Sequence, residues 1–303
     1  MLVPCFRAAA FVARALDSVL AQTRGDWELV ACDNASDDGT WEILQAYAAR
    51  DERIRVYRND ENVGPVGNWR RCASLARAPL VALLFADDWY EPTFLEETLA
   101  LLDDPEVGLV HTAVRIVQDP SAPERGLVMY QGDGPVTSEA YLRTALRHWG
   151  AQVPVSPGCA VARREDLERW LGVRLEDDEA FGFTRHGAGP DLWVYLQACS
   201  EYPTIVQVPI PLVNFYSHGE NLTHTEKTQP AYAAAVVQFA EAVRSKVVPR
   251  QAAWVRLYRE LRGTSYAVRV LKRLRLTGRL RLLKLDLRES ARRVFRGGKG
   301  RGA

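Results

Sequence analysis

Residues 79–92 read P-L-V-A-L-L-F-A-D-D-W-Y-E-P, and this stretch decides the fold. Residues 80–86 form an unbroken apolar run of strand length, which is typical of a parallel strand covered by helices on both faces. The run ends in two adjacent carboxylates, Asp87 and Asp88. Burying both would be costly unless they were paired or bound to a metal ion, so we expect them just past the carboxyl end of the strand, where open α/β sheets bind ligands. In the alternative interpretation, Asp88 only caps the helix that Pro92 opens.

Strands and helices alternate around this stretch. The apolar patterns predict strands at residues 1–5, 27–32, 53–57 and 107–112, with single helices between them. Such alternation predicts an α/β fold with a mostly parallel, Rossmann-like sheet flanked by helices and joined by right-handed crossovers. Three polar loops, at residues 33–40, 59–67 and 87–91, each follow a strand. We therefore expect them at one edge of the sheet, which favours the ligand-binding interpretation of Asp87 and Asp88.

Beyond residue 115 the regular alternation of strands and helices ends. The pattern there predicts a hairpin at residues 115–130, helices at 138–148 and 191–199, and short strands at 205–208 and 212–216. Amphipathic helices are expected at residues 230–244 and 249–262, so the chain should end in a helical extension.

Composition places limits on the class of protein. With 303 residues the chain can form one large domain or two smaller ones. Its longest apolar runs have about seven residues, far fewer than the ~18–20 that span a bilayer, and no signal peptide is visible. The five cysteines are scattered and form no C-x-x-C pair, which disfavours a zinc site or a disulfide framework and predicts a cytoplasmic protein.

The net charge of +1 hides a strong asymmetry. Residues 259–303 carry 15 Lys and Arg against three acidic residues, whereas the rest of the chain carries 24 basic and 35 acidic residues. Within this tail a helical stripe of apolar residues is flanked by arginines and lysines. Residues 264–303 are therefore a candidate for peripheral contact with an anionic membrane on its inner face, and docking on the acidic body is the alternative. Nucleic-acid binding is disfavoured, because no recognised module accompanies the charge.

The acidic pair needs a cation or a polyanion as its ligand. Mg²⁺ and Mn²⁺ are commonly held by one or two carboxylates together with substrate phosphates. The remaining loops suit a nucleotide, because Asp33 or Asn34 could accept from a base or a ribose and Gly39 and Gly64 permit close backbone approach. The chain has neither G-x-x-x-x-G-K-[ST] nor G-x-G-x-x-G, which disfavours kinases, NTPases and NAD enzymes.

At this point the sequence resembles a known family. The block A-L-D-S-V-L-A-Q-T-x-x-D-W-E-L-V-x-x-D-N-A-S-D-D-G-T, the later N-x-G and the strand ending in A-D-D are similar to those of family 2 glycosyltransferases of the GT-A fold. The resemblance is strong over residues 2–115 and weak over residues 156–225. It implies a nucleotide-sugar-binding half at residues 1–115, an acceptor-binding half at 116–228 and a basic helical extension at 229–303.

The resemblance also implies roles for individual residues. The nucleotide would be bound by Pro4, Phe6, Arg7, Asp33, Asn34, Asn62, Gly64, Arg71 and Asp87. The metal, Mn²⁺ or Mg²⁺, would be held chiefly by Asp88, with Asp87 and His218 as further candidates. Asp191, in the motif G-P-D-L-W, would be the catalytic base, and Gly158, Cys159 and Trp193 would lie near the acceptor or the donor sugar.

The chain departs from the family pattern in several places. The usual P-x-Y-N turn is P-C-F-R here, Ala86 stands where many members have an acid, and Gly67 stands where an arginine is common, which leaves Arg70 or Arg71 near the diphosphate. The Q-x-x-R-W motif of processive members is missing, so transfer of a single sugar is expected. The first strand is expected either to be unusually short or to begin upstream of Met1.

The implied reaction is inverting, direct displacement of a nucleotide, expected to be UDP, by an acceptor hydroxyl of a saccharide or lipid-linked substrate in the synthesis of cell-surface polysaccharide or glycolipid. The base removes the hydroxyl proton while the metal stabilises the leaving diphosphate. Two alternatives stay open: a sugar-1-phosphate nucleotidyltransferase, and a non-catalytic sugar- or lipid-binding relative.

Each candidate residue also has a purely structural interpretation. Asp33 could tie its own loop, Asp191 could be a helix N-cap, His218 could be a solvated loop histidine, and Trp193 could belong to the core. The next candidates for the base are Asp177, Asp178 and Glu179 in the preceding acidic loop.

Overall fold

The computed structural model describes residues 1–148, 153–219, 221 and 228–245. The strands of these residues are β1 (Leu2–Cys5), β2 (Leu29–Asp33), β3 (Ile54–Arg58), β4 (Leu80–Ala82), β5 (Trp89–Tyr90), β6 (Val107–Val117), β7 (Leu127–Met129), β8 (Gly134–Thr137), β9 (Ala160–Arg163) and β10 (Thr204–Tyr216). The helices are α1 (Val12–Leu20), α2 (Thr40–Ala48), α3 (Gly64–Leu75), α4 (Phe94–Thr98), α5 (Ser138–His148), α6 (Arg164–Gly172), α7 (Asp178–Phe181), α8 (Phe183–His186), α9 (Pro190–Glu201) and α10 (Gln229–Ser245). Short 3₁₀ turns occur at Leu99–Leu102, Pro123–Arg125 and Pro157–Cys159.

The first sheet is parallel, as the alternating pattern predicts, with the order β1-β2-β3. Leu2 lies opposite Val30 and Cys5 opposite Asp33, so β1 and β2 end side by side. Every residue of β2 is buried, because helices cover both faces of this sheet. Strand β1 has four residues.

The second sheet is mixed, with the order β4-β9-β6-β10-β5, and β7 and β8 pair with β6 and β10. The long strands β6 and β10 run parallel, whereas β9 is antiparallel to both β4 and β6. A parallel bridge between Leu2 and Leu83 joins the two sheets, and the Leu84 amide donates to the Leu2 carbonyl at 2.8 Å. The stretch that begins at Leu80 is therefore central to the whole fold.

The predicted strand at residues 80–86 is shorter in the structure. Strand pairing stops after Leu83, and residues 86–87 form a turn that leads to Asp88. The two short strands predicted at residues 205–208 and 212–216 form one strand, β10, with register shifts where the predicted break lies. The acidic segment predicted as a loop contains the short helices α7 and α8.

The core lies between the sheets and their helices. One face of α1 contributes Val12, Leu16 and Val19, which are fully buried. Among the described residues, no helix is long and apolar enough to cross a membrane. The predicted tail helix and the candidate membrane surface at residues 264–303 lie outside the described residues. The predicted division of the chain near residue 115 stays a prediction. Strand β6 runs through that point and pairs with β10 on both sides of it.

Candidate active site

Arg7 ties the end of β1 to the loop after β2. Its guanidinium makes a two-point ion pair with Asp37, with both N–O distances 2.8 Å, and its amide donates to the Ser36 hydroxyl at 2.9 Å. Arg7 has a φ of 48°, a left-handed conformation that non-glycine residues adopt mainly where the surroundings enforce it. The neighbouring Phe6 is 45% exposed, so an apolar ring is open to a ligand at this edge, whereas Pro4 lies within β1.

Asp33 ends β2 with a fully buried side chain. Both of its carboxylate oxygens accept from the Ser36 amide at 3.3 Å, and Arg58 Nε lies 3.1 Å from Oδ2. Because a buried carboxylate needs such partners, Asp33 holds its own loop in shape.

Asn34 connects two loops through its side chain. Its Oδ1 accepts from Asn59 Nδ2 at 2.8 Å and from the Val63 amide at 3.0 Å, and its Nδ2 donates to Asn62 Oδ1 at 2.7 Å and to the Gly64 carbonyl at 3.3 Å. The predicted nucleotide residues Asn34, Asn62 and Gly64 are thus brought together. Their arrangement also shows that the Asn34 amide is fully engaged with protein groups.

The arginines of α3 point to different places. Arg70 donates to the carbonyl oxygens of Leu171 and Val173 at the end of α6, which fixes its guanidinium there. Arg71 is exposed and lies seven residues after Gly64, about 10 Å along the helix axis from the N-terminus of α3. The structure therefore does not bring Arg71 together with the loop residues, and its role stays a prediction.

The Asp87 side chain is hydrogen-bonded to His218, which follows the end of β10. Asp87 Oδ2 lies 3.1 Å from His218 Nε2 and accepts from Asn221 Nδ2 at 3.0 Å. The His218 ring also packs on Phe11, with the ring centroids 4.5 Å apart. The carboxylate of Asp87 is 29% exposed, so it can still reach a ligand.

Asp88 is more deeply placed than Asp87. It is 6% exposed, and its Oδ1 accepts from the Tyr216 amide at 2.9 Å. Burial, followed by the negative charge of Asp87, raises the pKa of Asp88 well above its usual range. Asp88 thus joins the turn after β4 to the end of β10.

Arg14, on α1, is not among the site residues that the sequence predicts. Its guanidinium stacks over the rings of Trp89 at 4.2 Å and Tyr216 at 4.8 Å, and Nη2 donates to the Asp87 carbonyl at 3.2 Å. Arg14 therefore lies behind the acidic pair and links α1, the acidic turn and β10. Arg14 falls on the face of α1 opposite Val12 and Leu16, so the apolar pattern of the sequence gives no signal that identifies it.

Asp191 lies in the first turn of α9. Its Oδ1 accepts from the amides of Gly189 at 2.8 Å and Leu192 at 2.6 Å, and its Oδ2 accepts from the Tyr232 hydroxyl at 2.6 Å. Burial raises the pKa of Asp191 to about 7, although the hydrogen bond from Tyr232 and those from the two amides each act to lower it. A carboxylate that exchanges its proton near neutral pH suits a general base.

Trp69 connects the surroundings of Asp87 and Asp191. Its indole packs on Phe85, with the ring centroids 5.4 Å apart, and Phe85 precedes the acidic turn. The same indole lies so close to Gly187 that a Cβ there would come within 2.6 Å of it. The two acidic segments therefore flank one aromatic ring.

The candidate sugar residues are buried. Gly158 and Cys159 lie in a 3₁₀ turn, where Tyr90 donates to the Gly158 carbonyl at 3.3 Å and Cys159 Sγ lies 3.5 Å from the Tyr195 hydroxyl. Trp193 is 4% exposed and packs edge-on against Phe239 of α10. This position makes Trp193 a core residue in the described structure.

The residues at the acidic turn fit a divalent cation. Metal–oxygen distances of about 2.1 Å place neighbouring ligands of an octahedral ion about 3 Å apart. Carboxylate and imidazole both suit Mn²⁺, and Asp87 Oδ2 and His218 Nε2 lie close together in a direct 3.1 Å hydrogen bond, which a bound ion would replace. No group of three or more His, Cys, Asp or Glu side chains suited to a metal occurs among the described residues, so the remaining ligands would come from substrate or water.

Known proteins that resemble this chain are glycosyltransferases. The model of the family described as Glycosyl transferase family 2 matches residues 1–171. TuaG of Bacillus subtilis (strain 168), named as a teichuronic acid biosynthesis glycosyltransferase, is 29% identical over 203 residues, which cover 64% of this chain and 77% of TuaG. EpsE of the same organism, named as a glycosyltransferase, is 31% identical over 175 residues, which cover 53% of this chain and 60% of EpsE.

Among solved structures, residues 1–349 of S. aureus TarS in complex with UDP-GlcNAc align with a TM-score of 0.66 at 16% identity. The alignment covers 86% of this chain and 70% of the TarS chain. The likeness shows a shared fold, the α/β GT-A fold that the sequence predicts.

Proposed function

This chain belongs to the family 2 glycosyltransferases, and we propose that it moves one sugar from a UDP-linked donor to a hydroxyl of a cell-surface polysaccharide or glycolipid, with inversion. The name of TuaG supports the acceptor class, and the UDP-GlcNAc complex of TarS supports the donor class. The observation that carries the proposal is Asp191, a carboxylate held at the start of a helix with a pKa of about 7.

The donor nucleotide would lie against the loops that follow β1, β2 and β3. Phe6 presents an exposed ring suited to stacking on a base, while Asp33 and the Asn34 network keep the loops in shape. The side chains of Asp33 and Asn34 are already fixed by protein contacts. Little reorganisation is therefore needed when the donor binds.

Asp87 and His218 would hold the divalent cation, Mn²⁺ or Mg²⁺, and the buried Asp88 would support them. When bound, such an ion supplies positive charge to the leaving diphosphate. The family resemblance instead implies Asp88 as the chief metal ligand. We propose Asp87 instead because its carboxylate is more exposed and already meets a second candidate ligand.

Asp191 would accept the proton of the acceptor hydroxyl. Its position in the first turn of α9 lets the helix dipole and two backbone amides favour the ionised form, which opposes the effect of burial. The proton moves to a carboxylate oxygen as the acceptor oxygen attacks the anomeric carbon and the bond to the diphosphate breaks. No covalent sugar–enzyme intermediate is required.

The composition of the C-terminal residues supports a peripheral contact with an anionic membrane. Residues 259–303 carry 15 basic residues, and each could contribute roughly 1 kcal/mol near an anionic surface. A lipid-linked acceptor would then be presented to the site from the membrane. Sedimentation with vesicles of phosphatidylglycerol and phosphatidylcholine tests this, and equal binding to vesicles of pure phosphatidylcholine would contradict it.

The Asp191→Asn variant tests the proposed reaction. UDP-sugars are first screened by thermal shift with Mn²⁺, and transfer to polysaccharide or lipid acceptors is then measured with the donor that binds. We expect Asp191→Asn to keep donor affinity and to lose transfer by at least ~100-fold. Asp178→Asn is the matched control, because Asp178 accepts from Thr184 in the preceding segment. A fully active Asp191→Asn variant would remove Asp191 as the base.

A further inference from the structure

The hydrogen bond from Tyr232 to Asp191 joins the C-terminal helix to the candidate base. Tyr232 lies on α10, beyond residues 1–171 that match the family model. Its hydroxyl donates to Asp191 Oδ2 at 2.6 Å, and its side chain is 9% exposed. The contact is therefore a short, charge-assisted hydrogen bond in a largely buried place, where such bonds are strongest.

The two oxygens of Asp191 are held by different parts of the chain. Oδ1 accepts from the amides of Gly189 and Leu192, which belong to the start of α9 itself. Oδ2 accepts from a side chain that approaches from another helix. Without the Tyr232 hydroxyl, the described contacts would hold only Oδ1 of Asp191, and Oδ2 would have no described hydrogen-bond donor to fix its position.

Other contacts fix α10 against this part of the fold. Phe239 packs edge-on against Trp193, two residues after Asp191, with the ring centroids 5.7 Å apart. Gln238 exchanges two hydrogen bonds with the backbone of Glu176, at 2.7 and 2.9 Å. Because these contacts lie nearly two turns along α10 from Tyr232, the helix is anchored independently of the tyrosine.

We propose that Tyr232 is a positioning residue, whose hydroxyl fixes Oδ2 of Asp191 and makes α10 part of the active site. The inference rests on the proposed function, in which Asp191 is the base. It assigns a role in catalysis to a helix outside the matched family region. Tyr232 acts through Asp191 and is not itself required to touch the substrate.

The titratable groups around Asp191 identify Tyr232 as the one that holds it. Tyr141, on α5, is near enough to interact electrostatically, but its hydroxyl donates to the Pro154 carbonyl at 2.6 Å. Tyr130, from the loop after β7, interacts with Tyr232. At the end of α8, the His186 ring is hydrogen-bonded to the Phe181 carbonyl and the Ala188 amide.

The titration of Asp191 itself provides a test that needs no substrate. Full-length protein is labelled with ¹³C at the aspartate carboxyl carbons, and the Asp191 signal is identified by its loss in Asp191→Asn. We expect a midpoint near 7 in the parent protein. Tyr232→Phe keeps the ring but removes the donor to the ionised form, so its midpoint should rise by about 1 pH unit. An unchanged midpoint in Tyr232→Phe would overturn the inference.

Tyr141→Phe is the matched control, since it removes a neighbouring phenol that is bonded elsewhere. Its midpoint should stay at the parent value, and a rise equal to that of Tyr232→Phe would also overturn the inference. If Tyr232→Phe does not fold, 3-fluorotyrosine in the parent protein replaces it as the test. The more acidic phenol is a stronger donor and should lower the midpoint, whereas no change would count against the inference.

The two proposals can fail separately. If Asp191→Asn transfers sugar normally, the assignment of the base fails, but the titration still reports whether Tyr232 holds Asp191. If Asp191→Asn is inactive and Tyr232→Phe leaves the midpoint unchanged, the positioning role alone fails. With an intact base, Tyr232→Phe should lower kcat at pH 7 by about fivefold, because a midpoint that moves from about 7 to about 8 reduces the ionised fraction from about one half to about one tenth. The kcat should recover toward pH 9, with little change in the KM for the donor.

Discussion

Asp87 and His218 are separated by 131 positions in the sequence, yet Asp87 Oδ2 lies 3.1 Å from His218 Nε2. The turn after β4 supplies the carboxylate, and the end of β10 supplies the imidazole. Asn221 also donates to the same carboxylate oxygen, at 3.0 Å. The segment after β10 is thereby attached to the acidic turn at the point where a cation would bring donor and protein together.

The Asp87→Asn variant should weaken Mn²⁺-dependent binding of UDP by at least about tenfold, because an amide oxygen is a poorer ligand for a hard cation than a carboxylate. Titration calorimetry with UDP, in Mn²⁺ and in EDTA, measures the effect. EDTA should reduce the affinity of the parent protein and have little further effect on Asp87→Asn.

Asp88→Asn is the control for that experiment. Asparagine at this position can still accept from the Tyr216 amide, so the turn should keep its shape and most of its Mn²⁺ dependence. If Asp88→Asn loses the Mn²⁺ effect and Asp87→Asn keeps it, the metal belongs on Asp88, as the sequence resemblance implies.

The acidic turn and the parallel first sheet could be predicted from sequence because they depend on local patterns. An apolar strand followed by Asp87 and Asp88 is visible in one short window, and the fold places such loops at one edge. The partners of Arg14 could not be predicted. They come from β5 and from the end of β10, and no periodicity shows where distant segments meet.

Trp193 shows the same limit at the acceptor side. A tryptophan two residues after the candidate base suits a sugar contact, and sequence alone does not reveal which side of α9 is covered. In the structure α10 covers that side, and Phe239 packs on the indole. The helical pattern near residues 230–244 could be predicted, but its docking position and the contact of Tyr232 could not.

The Asn34→Ala variant should lower the free energy of unfolding by roughly 2–4 kcal/mol, because it leaves buried groups of the loop after β3 without partners. Urea denaturation measures this loss. Asn62→Ala is the control, since Asn62 is exposed and makes fewer contacts in the same network. Equal losses in the two variants would show that Asn34 does not hold the loops together.

The Arg14→Lys variant should cost about 1–2 kcal/mol of stability, since lysine cannot reproduce a planar stack between two rings. Affinity for UDP with Mn²⁺ should fall as well, because Arg14 also bonds the Asp87 carbonyl. Arg50→Lys is a matched control, as Arg50 also lies over an aromatic ring, that of Tyr47, but is exposed. Its stability should stay within about 0.5 kcal/mol of the parent. A similar small change in Arg14→Lys would contradict the role given to Arg14.

The Asp191→Asn variant should be more stable than the parent at neutral pH. Folding raises the pKa of Asp191 from 3.8 to about 7, so between these values the folded protein binds a proton that the unfolded chain has lost. The stabilisation from this group is complete below pH 3.8 and is lost as the pH rises through about 7. Asparagine does not titrate, and its amide can keep the contacts to Gly189, Leu192 and Tyr232.

The gain in Asp191→Asn should therefore be largest at pH 8, up to ~4 kcal/mol, and should disappear toward pH 4. Thermal denaturation from pH 4 to 8 measures it. A residue kept at a cost in stability is expected where function requires it. If the difference between Asp191→Asn and the parent stays constant across this range, Asp191 does not carry the raised pKa that a base near neutrality requires.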